Sequence, residues 1–274
     1  MRIGVLGGTF DPIHRAHLTI AACALREYGL DEVWFMPAGD PYFKEGSPVT
    51  GPGLRLAMTK ACIDAFGEPR FRCSDFEIRD RERTYTAETF RKLHELYPGD
   101  RFYLIMGLDS LEALPKWYRP ELLLQNAVIL CALRRETRSG NETFSGKGAL
   151  VPDRDAREIP VAATDAKDGM DCASAKEDRF SNTKAPAECA APAGAKEGTE
   201  DERTPEEDAI RFFDAVRVLQ EEYGSAHPDI RQLHCPEINI SSTMIRDAVL
   251  NGGKLESFVT PAVADFIEKH GLYR

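Results

Sequence analysis

Two hydrophobic periods alternate along the first half of the chain. The run Arg2 to Leu6 is short and apolar and stops at Gly7-Gly8, so it reads as a buried strand with 7–12 as a tight turn. From Arg15 to Tyr28 the apolar positions fall at helical spacing, and the pattern ends at Gly29, the usual helix terminator. Val33 to Met36, closed by Pro37, predicts a second strand. Leu54 to Phe66 predicts a second helix with an apolar face at Leu54, Met58, Ala61, Cys62 and Ala65. The rhythm continues with a helix over Ala87 to Tyr97, a strand over Phe102 to Met106, a helix over Pro120 to Gln125 and a strand over Ala127 to Leu133. Each strand is nearly all apolar, as strands covered on both faces must be. The pattern therefore predicts an α/β fold, a doubly wound parallel sheet with helices on both faces.

The pattern breaks at Glu136. Up to Pro205 there is no Trp or Tyr, and Phe144 and Phe180 are the sole aromatics among Ala, Gly, Ser, Thr, Pro and charged residues. Such a stretch buries too little apolar surface to offset its ordering entropy, so 136–203 reads as a disordered or loosely ordered low-complexity insertion. Residues 1–135 and 204–274 then form one domain. Thr204-Pro205-Glu206-Glu207 restarts order as a capped helix leading into Ile210, Phe213, Val216 and Leu219. Strands over Ile230 to Cys235 and Glu237 to Ile240 follow, then helices over Ser242 to Leu250 and Pro261 to His270.

Composition narrows the class. With 42% apolar and 29% charged residues in 274, the chain reads as an ordinary globular protein, neither fibrous nor wholly disordered. It has no apolar run of about 18 residues and no leader-like start, which predicts a cytoplasmic protein away from membranes. Seven cysteines without a C-x-x-C pair point to reduced thiols, and neither a disulfide framework nor a protein metal site is expected. A net charge of -10 argues against nucleic-acid binding, while leaving room for a local basic pocket that takes a phosphorylated small molecule. A homo-oligomer stays open.

The chemistry concentrates at two strand-to-helix junctions. In Gly7-Gly8-Thr9-Phe10-Asp11-Pro12-Ile13-His14-Arg15-Ala16-His17, adjacent glycines let the backbone approach a phosphate at the carboxyl end of a strand, and the next helix aims its positive end there. His14 and His17, three apart, share one helix face and can meet one anion together. Preorganised donors of this kind help most where charge grows on a phosphate under in-line substitution. The chain has no G-x-x-x-x-G-K-[ST] and no G-x-G-x-x-G after its first strand, so neither a Walker loop nor a dinucleotide fingerprint applies. The second junction, Ile240-Ser241-Ser242-Thr243-Met244-Ile245-Arg246, sets three hydroxyls in a first helical turn with Arg246 one turn on. It reads as a second phosphate cradle or, taken alone, as a simple cap.

These residues resemble the H-x-G-H nucleotidyltransferase superfamily, and within it the bacterial nicotinate-nucleotide adenylyltransferases. Further matching segments are Leu30 to Pro37, Tyr85-Thr86, Gly107-Leu108-Asp109-Ser110, Leu114 to Tyr118 and the terminal Gly271-Leu272-Tyr273-Arg274. The resemblance spans 1–135 and 204–274 and implies a Rossmann-like fold. It implies transfer of AMP from ATP to nicotinic acid mononucleotide, giving deamido-NAD and pyrophosphate by direct displacement, with Mg2+ carried on the substrate phosphates. Carried over position by position, His14, His17 and Arg246 would be catalytic. Gly7, Gly8, Thr9, Phe10, Gly107, Asp109, Ser241, Ser242 and Thr243 would bind ATP. Thr86, Trp117 and Tyr118, with Lys44 and either Arg134 or Arg135, would serve the acceptor.

Two positions depart from the family pattern. The H-x-G-H glycine is Ala16, and the family's Pro-Pro-His-Lys loop reads Pro41-Tyr42-Phe43-Lys44. Two alternatives share the glycine turn and the histidines: nucleotidyl transfer to another phosphorylated acceptor such as phosphopantetheine, and a non-catalytic nucleotide-binding module.

Overall fold

The computed structural model describes residues 1–39, 49–80, 85–135, 204–236 and 238–274, the side chains of Arg134 and Arg135 excepted. Its strands are β1 (Arg2–Gly8), β2 (Glu32–Pro37), β3 (Phe71–Cys73), β4 (Arg101–Gly107), β5 (Val128–Arg135) and β6 (Ile230–Pro236). Between and after them run α1 (Arg15–Tyr28), α2 (Pro52–Phe66), α3 (Phe76–Arg79), α4 (Thr86–Leu96), α5 (Leu108–Ala113), α6 (Pro120–Asn126), α7 (Pro205–Tyr223), α8 (Ser242–Leu250) and α9 (Pro261–His270).

The six strands pair in the order β3-β2-β1-β4-β5-β6, and every neighbouring pair is parallel. The strands are buried on both faces, and the face alternates residue by residue. In β4, Phe102, Leu104 and Met106 join Phe90, Leu93, Leu111, Leu123, Phe212 and Leu219 of the helices on one face. Tyr103 and Ile105 join Leu18, Met58, Ile245, Val263 and Ile267 on the other. This is the doubly wound, Rossmann-like sheet that the continuous apolar runs predict. The strand order reverses between β1 and β4, and open sheets of this kind as a class bind ligands at such a switch point, beyond the carboxyl ends of the strands.

Several junctions form for the reasons their residues suggest. Gly29 closes α1 at φ 56, and its N–H reaches back to Leu25 O. Thr204 and Glu207 cap α7 reciprocally, the Glu207 N–H donating to Thr204 Oγ1 at 3.2 Å and the Thr204 N–H to Glu207 Oε2 at 2.8 Å.

Other expectations are corrected. Gly7 and Gly8 form no turn: they are the last two residues of β1, paired with Met36 and Pro37, and the chain reverses only after them. The strand expected at 237–240 does not form over 238–240, where the Ile240 N–H bonds Ile238 O in a local turn instead of a ladder partner. In α2 the buried residues are Arg55, Met58, Thr59, Cys62 and Ile63, while Ala65 is exposed, because Arg55 finds its partners inside. The short β3, α3 and α5 offer too few residues for a period to show. The segment 136–203, read as an insertion, lies outside the described residues, as does Lys44. Among the described residues, no helix is long and apolar enough to cross a membrane.

Candidate active site

The turn after β1 is built from the inside. Arg55, with no solvent exposure, donates to Thr9 O at 2.7 Å, Ala38 O at 2.7 Å, Thr50 O at 2.8 Å and Gly39 O at 2.9 Å. One guanidinium therefore fixes the carbonyls beside the turn that follows β1, using its rigid fork of donors. Asp11, only 2% exposed, holds the far side of the turn. Its Oδ2 accepts from the Thr50 N–H at 3.1 Å, and its Oδ1 accepts from the Tyr273 hydroxyl at 2.6 Å. Phe10 takes φ 50 and the Asp11-Pro12 peptide is cis. A Cβ on Gly8 would stand 3.2 Å from the Phe10 ring, whereas Gly7 faces open space.

His14 precedes α1 and His17 lies in its first turn. Their rings stack with centroids 3.8 Å apart, and the Phe10 ring meets His17 edge-on at 4.9 Å. The His14 N–H donates to His17 Nδ1 at 3.2 Å, so the proton of a neutral His17 sits on Nε2 and is available to a ligand. Burial lowers the His14 imidazole to about 4. Burial first, then the neighbouring His14, holds His17 well below 6.5. Both are neutral hydrogen-bonding groups at working pH. His14 Nδ1 is buried without a hydrogen-bond partner among the described residues, a cost that native structures tolerate mainly at working sites.

The second junction clamps onto the first. Ser242 Oγ donates to Pro12 O at 2.9 Å, and Arg246 Nη1 donates to Asp11 O at 2.9 Å while its Nη2 reaches Thr243 Oγ1 at 2.9 Å. Ser241 caps α8 by accepting from the Met244 N–H. The start of α8, a guanidinium and two imidazoles thus gather around a single turn.

Two further groups lie on other elements. Gly107 ends β4, the neighbour of β1, and caps α5 at φ -83 with nothing within 4 Å of a would-be Cβ. Asp109, two residues on, accepts from Arg211 of α7 at 2.9 Å, and Arg211 also pairs with Glu112. Thr86 is the first residue of α4, preceded by Tyr85, whose ring stacks on Tyr118 at 4.3 Å. Trp117 is half-buried, packed against the core.

Comparison with known proteins identifies the family. The cytidylyltransferase-like family model matches residues 5–248. A probable nicotinate-nucleotide adenylyltransferase from Synechococcus sp. (strain JA-2-3B'a(2-13)) is 30% identical over 272 residues, covering 99% of this chain and 96% of the relative. The chain belongs to the nicotinate-nucleotide adenylyltransferase family, within the cytidylyltransferase-like group. A second member, from Synechococcus sp. (strain JA-3-3Ab), is 41% identical over 155 residues, covering 57% of this chain and 74% of the relative. The solved Plasmodium falciparum nicotinic acid mononucleotide adenylyltransferase complexed with NaAD shares the fold at TM-score 0.59 and 16% identity, covering 99% of this chain and 97% of that one.

Of the residues read from sequence, the fold brings Gly8, Phe10, His14, His17, Ser242, Thr243 and Arg246 together around the turn at 9–14. Tyr118 stacks on Tyr85, the residue that precedes Thr86. The Arg134 side chain lies outside the described residues. Ala16, the departure from H-x-G-H, is buried at 8% exposure in the first turn of α1. Sequence reasoning missed Arg55, Asp11 and Tyr273 as supports. A charged residue interrupting the Met58 and Cys62 face was the available signal for Arg55.

Proposed function

We propose that the chain transfers AMP from ATP to nicotinic acid mononucleotide, forming deamido-NAD and pyrophosphate. The observation that carries this reading is the clamp itself: Ser242 and Arg246 bond the backbone of the same turn that presents His14 and His17. Residues 1–135 and 204–274 are read as the transferase domain.

The acceptor's phosphate oxygen attacks the α-phosphorus of ATP. A new P–O bond forms there as the bridge to the β-phosphorus breaks, and the electron pair leaves with pyrophosphate. Gly7, Gly8, Thr9 and Phe10 line the nucleotide with backbone, and the open space beside Gly7 leaves room for it. His17, its Nδ1 occupied by the His14 amide, donates through Nε2 to the phosphates alongside His14. Arg246, with Thr243 and Ser242, meets the charge that grows on the departing pyrophosphate, where fixed donors lower the barrier most. Gly107 and Asp109 take the adenosine end, a carboxylate being suited to ribose hydroxyls. Tyr118, Trp117 and Thr86 take the pyridine ring, and Lys44 and Arg134 or Arg135, by resemblance alone, serve the acceptor.

Residues around the turn suit phosphate oxygens better than a cation: they are imidazoles, hydroxyls and a guanidinium, and both oxygens of buried Asp11 are already bonded. Magnesium would accordingly be held by the substrate phosphates and water, neutralising their charge.

Pyrophosphate release from ATP and magnesium, run with nicotinic acid mononucleotide, nicotinamide mononucleotide and phosphopantetheine, tests the reading. Release with the first alone, and deamido-NAD by mass spectrometry, is expected, with His17→Ala losing turnover while staying folded. Release with phosphopantetheine alone would overturn the acceptor, and no release at all would favour a binding module.

A further inference from the structure

The carboxyl-terminal turn reaches into the phosphate-side cluster. After α9 the chain turns through Gly271 at φ 58 and Tyr273 at φ 62, a conformation that side-chain-bearing residues rarely adopt and that needs a local reason. The reason lies at the tip of the side chain. The Tyr273 hydroxyl donates to Asp11 Oδ1 at 2.6 Å, in a site where burial raises the phenol above its ordinary value and keeps it a donor. Asp11 is held at its other oxygen by the Thr50 N–H, and its main-chain carbonyl is the anchor for Arg246 Nη1 at 2.9 Å. The hydrogen bonds form one path, Tyr273 to Asp11 to Arg246, from the last turn of the chain to the guanidinium assigned to the leaving group.

We propose that Tyr273 is a positioning residue for pyrophosphate departure: its hydroxyl fixes the Asp11 peptide from which Arg246 is suspended. This rests on the transferase reading above. An arginine has many rotamers, and its aim depends on where the carbonyl that anchors it lies. Without the hydroxyl, Asp11 keeps the Thr50 bond alone and can turn about its side chain, so the carbonyl and Arg246 shift together. The charge that Arg246 meets grows in the transition state and is complete on the free pyrophosphate, so the loss falls on kcat and on pyrophosphate affinity and spares substrate KM.

The test is steady-state kinetics of full-length Tyr273→Phe with ATP and nicotinic acid mononucleotide, with pyrophosphate as product inhibitor. Expected are a kcat about tenfold lower, a pyrophosphate inhibition constant about tenfold higher and both KM values within about twofold of wild type. In an Arg246→Ala background the same substitution should add less than about twofold, because the path it acts through is gone. Unchanged kcat and pyrophosphate inhibition would overturn the proposal, as would an equal loss in both backgrounds, which marks a purely structural role. Wild-type protein that releases no pyrophosphate with any acceptor overturns the transferase reading instead.

Discussion

The His14 amide donates to His17 Nδ1 over 3.2 Å while the two rings stack at 3.8 Å, so one histidine sets the tautomer of the other. Protonating both nitrogens of His17 would break that bond and place charge beside a buried neighbour. The pair is neutral by construction.

Stability should therefore fall on acidification. The folded protein holds His14 at about 4 against 6.5 for the free side chain, so protons favour the unfolded chain in that window. The stability is fully present above pH 6.5 and is lost as pH falls toward 4, by on the order of 3 kcal/mol for His14 alone. Urea unfolding of wild type and His14→Gln between pH 7.5 and 4.5 checks this, and equal pH slopes in the two proteins would remove the assignment.

Gly107→Ala separates ligand space from fold space. The backbone at φ -83 suits alanine, and nothing stands within 4 Å of the new methyl, so the melting temperature should stay within about 2 °C of wild type. If adenosine passes over this strand end, KM for ATP should rise about tenfold. An unchanged KM would place the nucleotide elsewhere.

Tyr118 is 41% exposed and stacked on Tyr85, a ring pair at the surface with little core to support. Tyr118→Ala should raise KM for nicotinic acid mononucleotide about three- to tenfold through lost stacking, with KM for ATP unchanged. A selective effect on ATP would reverse the assignment of the two ends of the site.

Arg55→Met should destabilise the protein by about 3 kcal/mol or more, because it strands the carbonyls of Thr9, Ala38, Gly39 and Thr50 in the interior. Arg55→Lys should recover only part of this, since three donors on one ammonium cannot span the carbonyls that the planar fork reaches. Chemical denaturation of both variants measures the gap, and a loss below about 1 kcal/mol for the methionine would show the turn holding itself.

Much of this protein was legible in its residues because the signals were local. Helix bounds at Arg15–Tyr28, Ser242–Leu250 and Pro261–His270 follow from period, caps and Gly or Pro stops, which depend on neighbours a few residues away. The histidine spacing and the hydroxyl-rich start of α8 were visible for the same reason, whereas Gly7 and Gly8, read as a turn, end β1 because they pair with the distant Met36 and Pro37. Only the tertiary structure decided what those motifs rest on. Asp11 and Tyr273 are 262 positions apart, Asp11 and Arg246 are 235, and Arg55 serves carbonyls from three separate segments. Such bonds exist because the fold brings the end of β1, the start of α8 and the segment after α9 together at one place. Hydrophobic period encodes which face of each element is buried, and it carries no record of which distant carbonyl a buried donor meets.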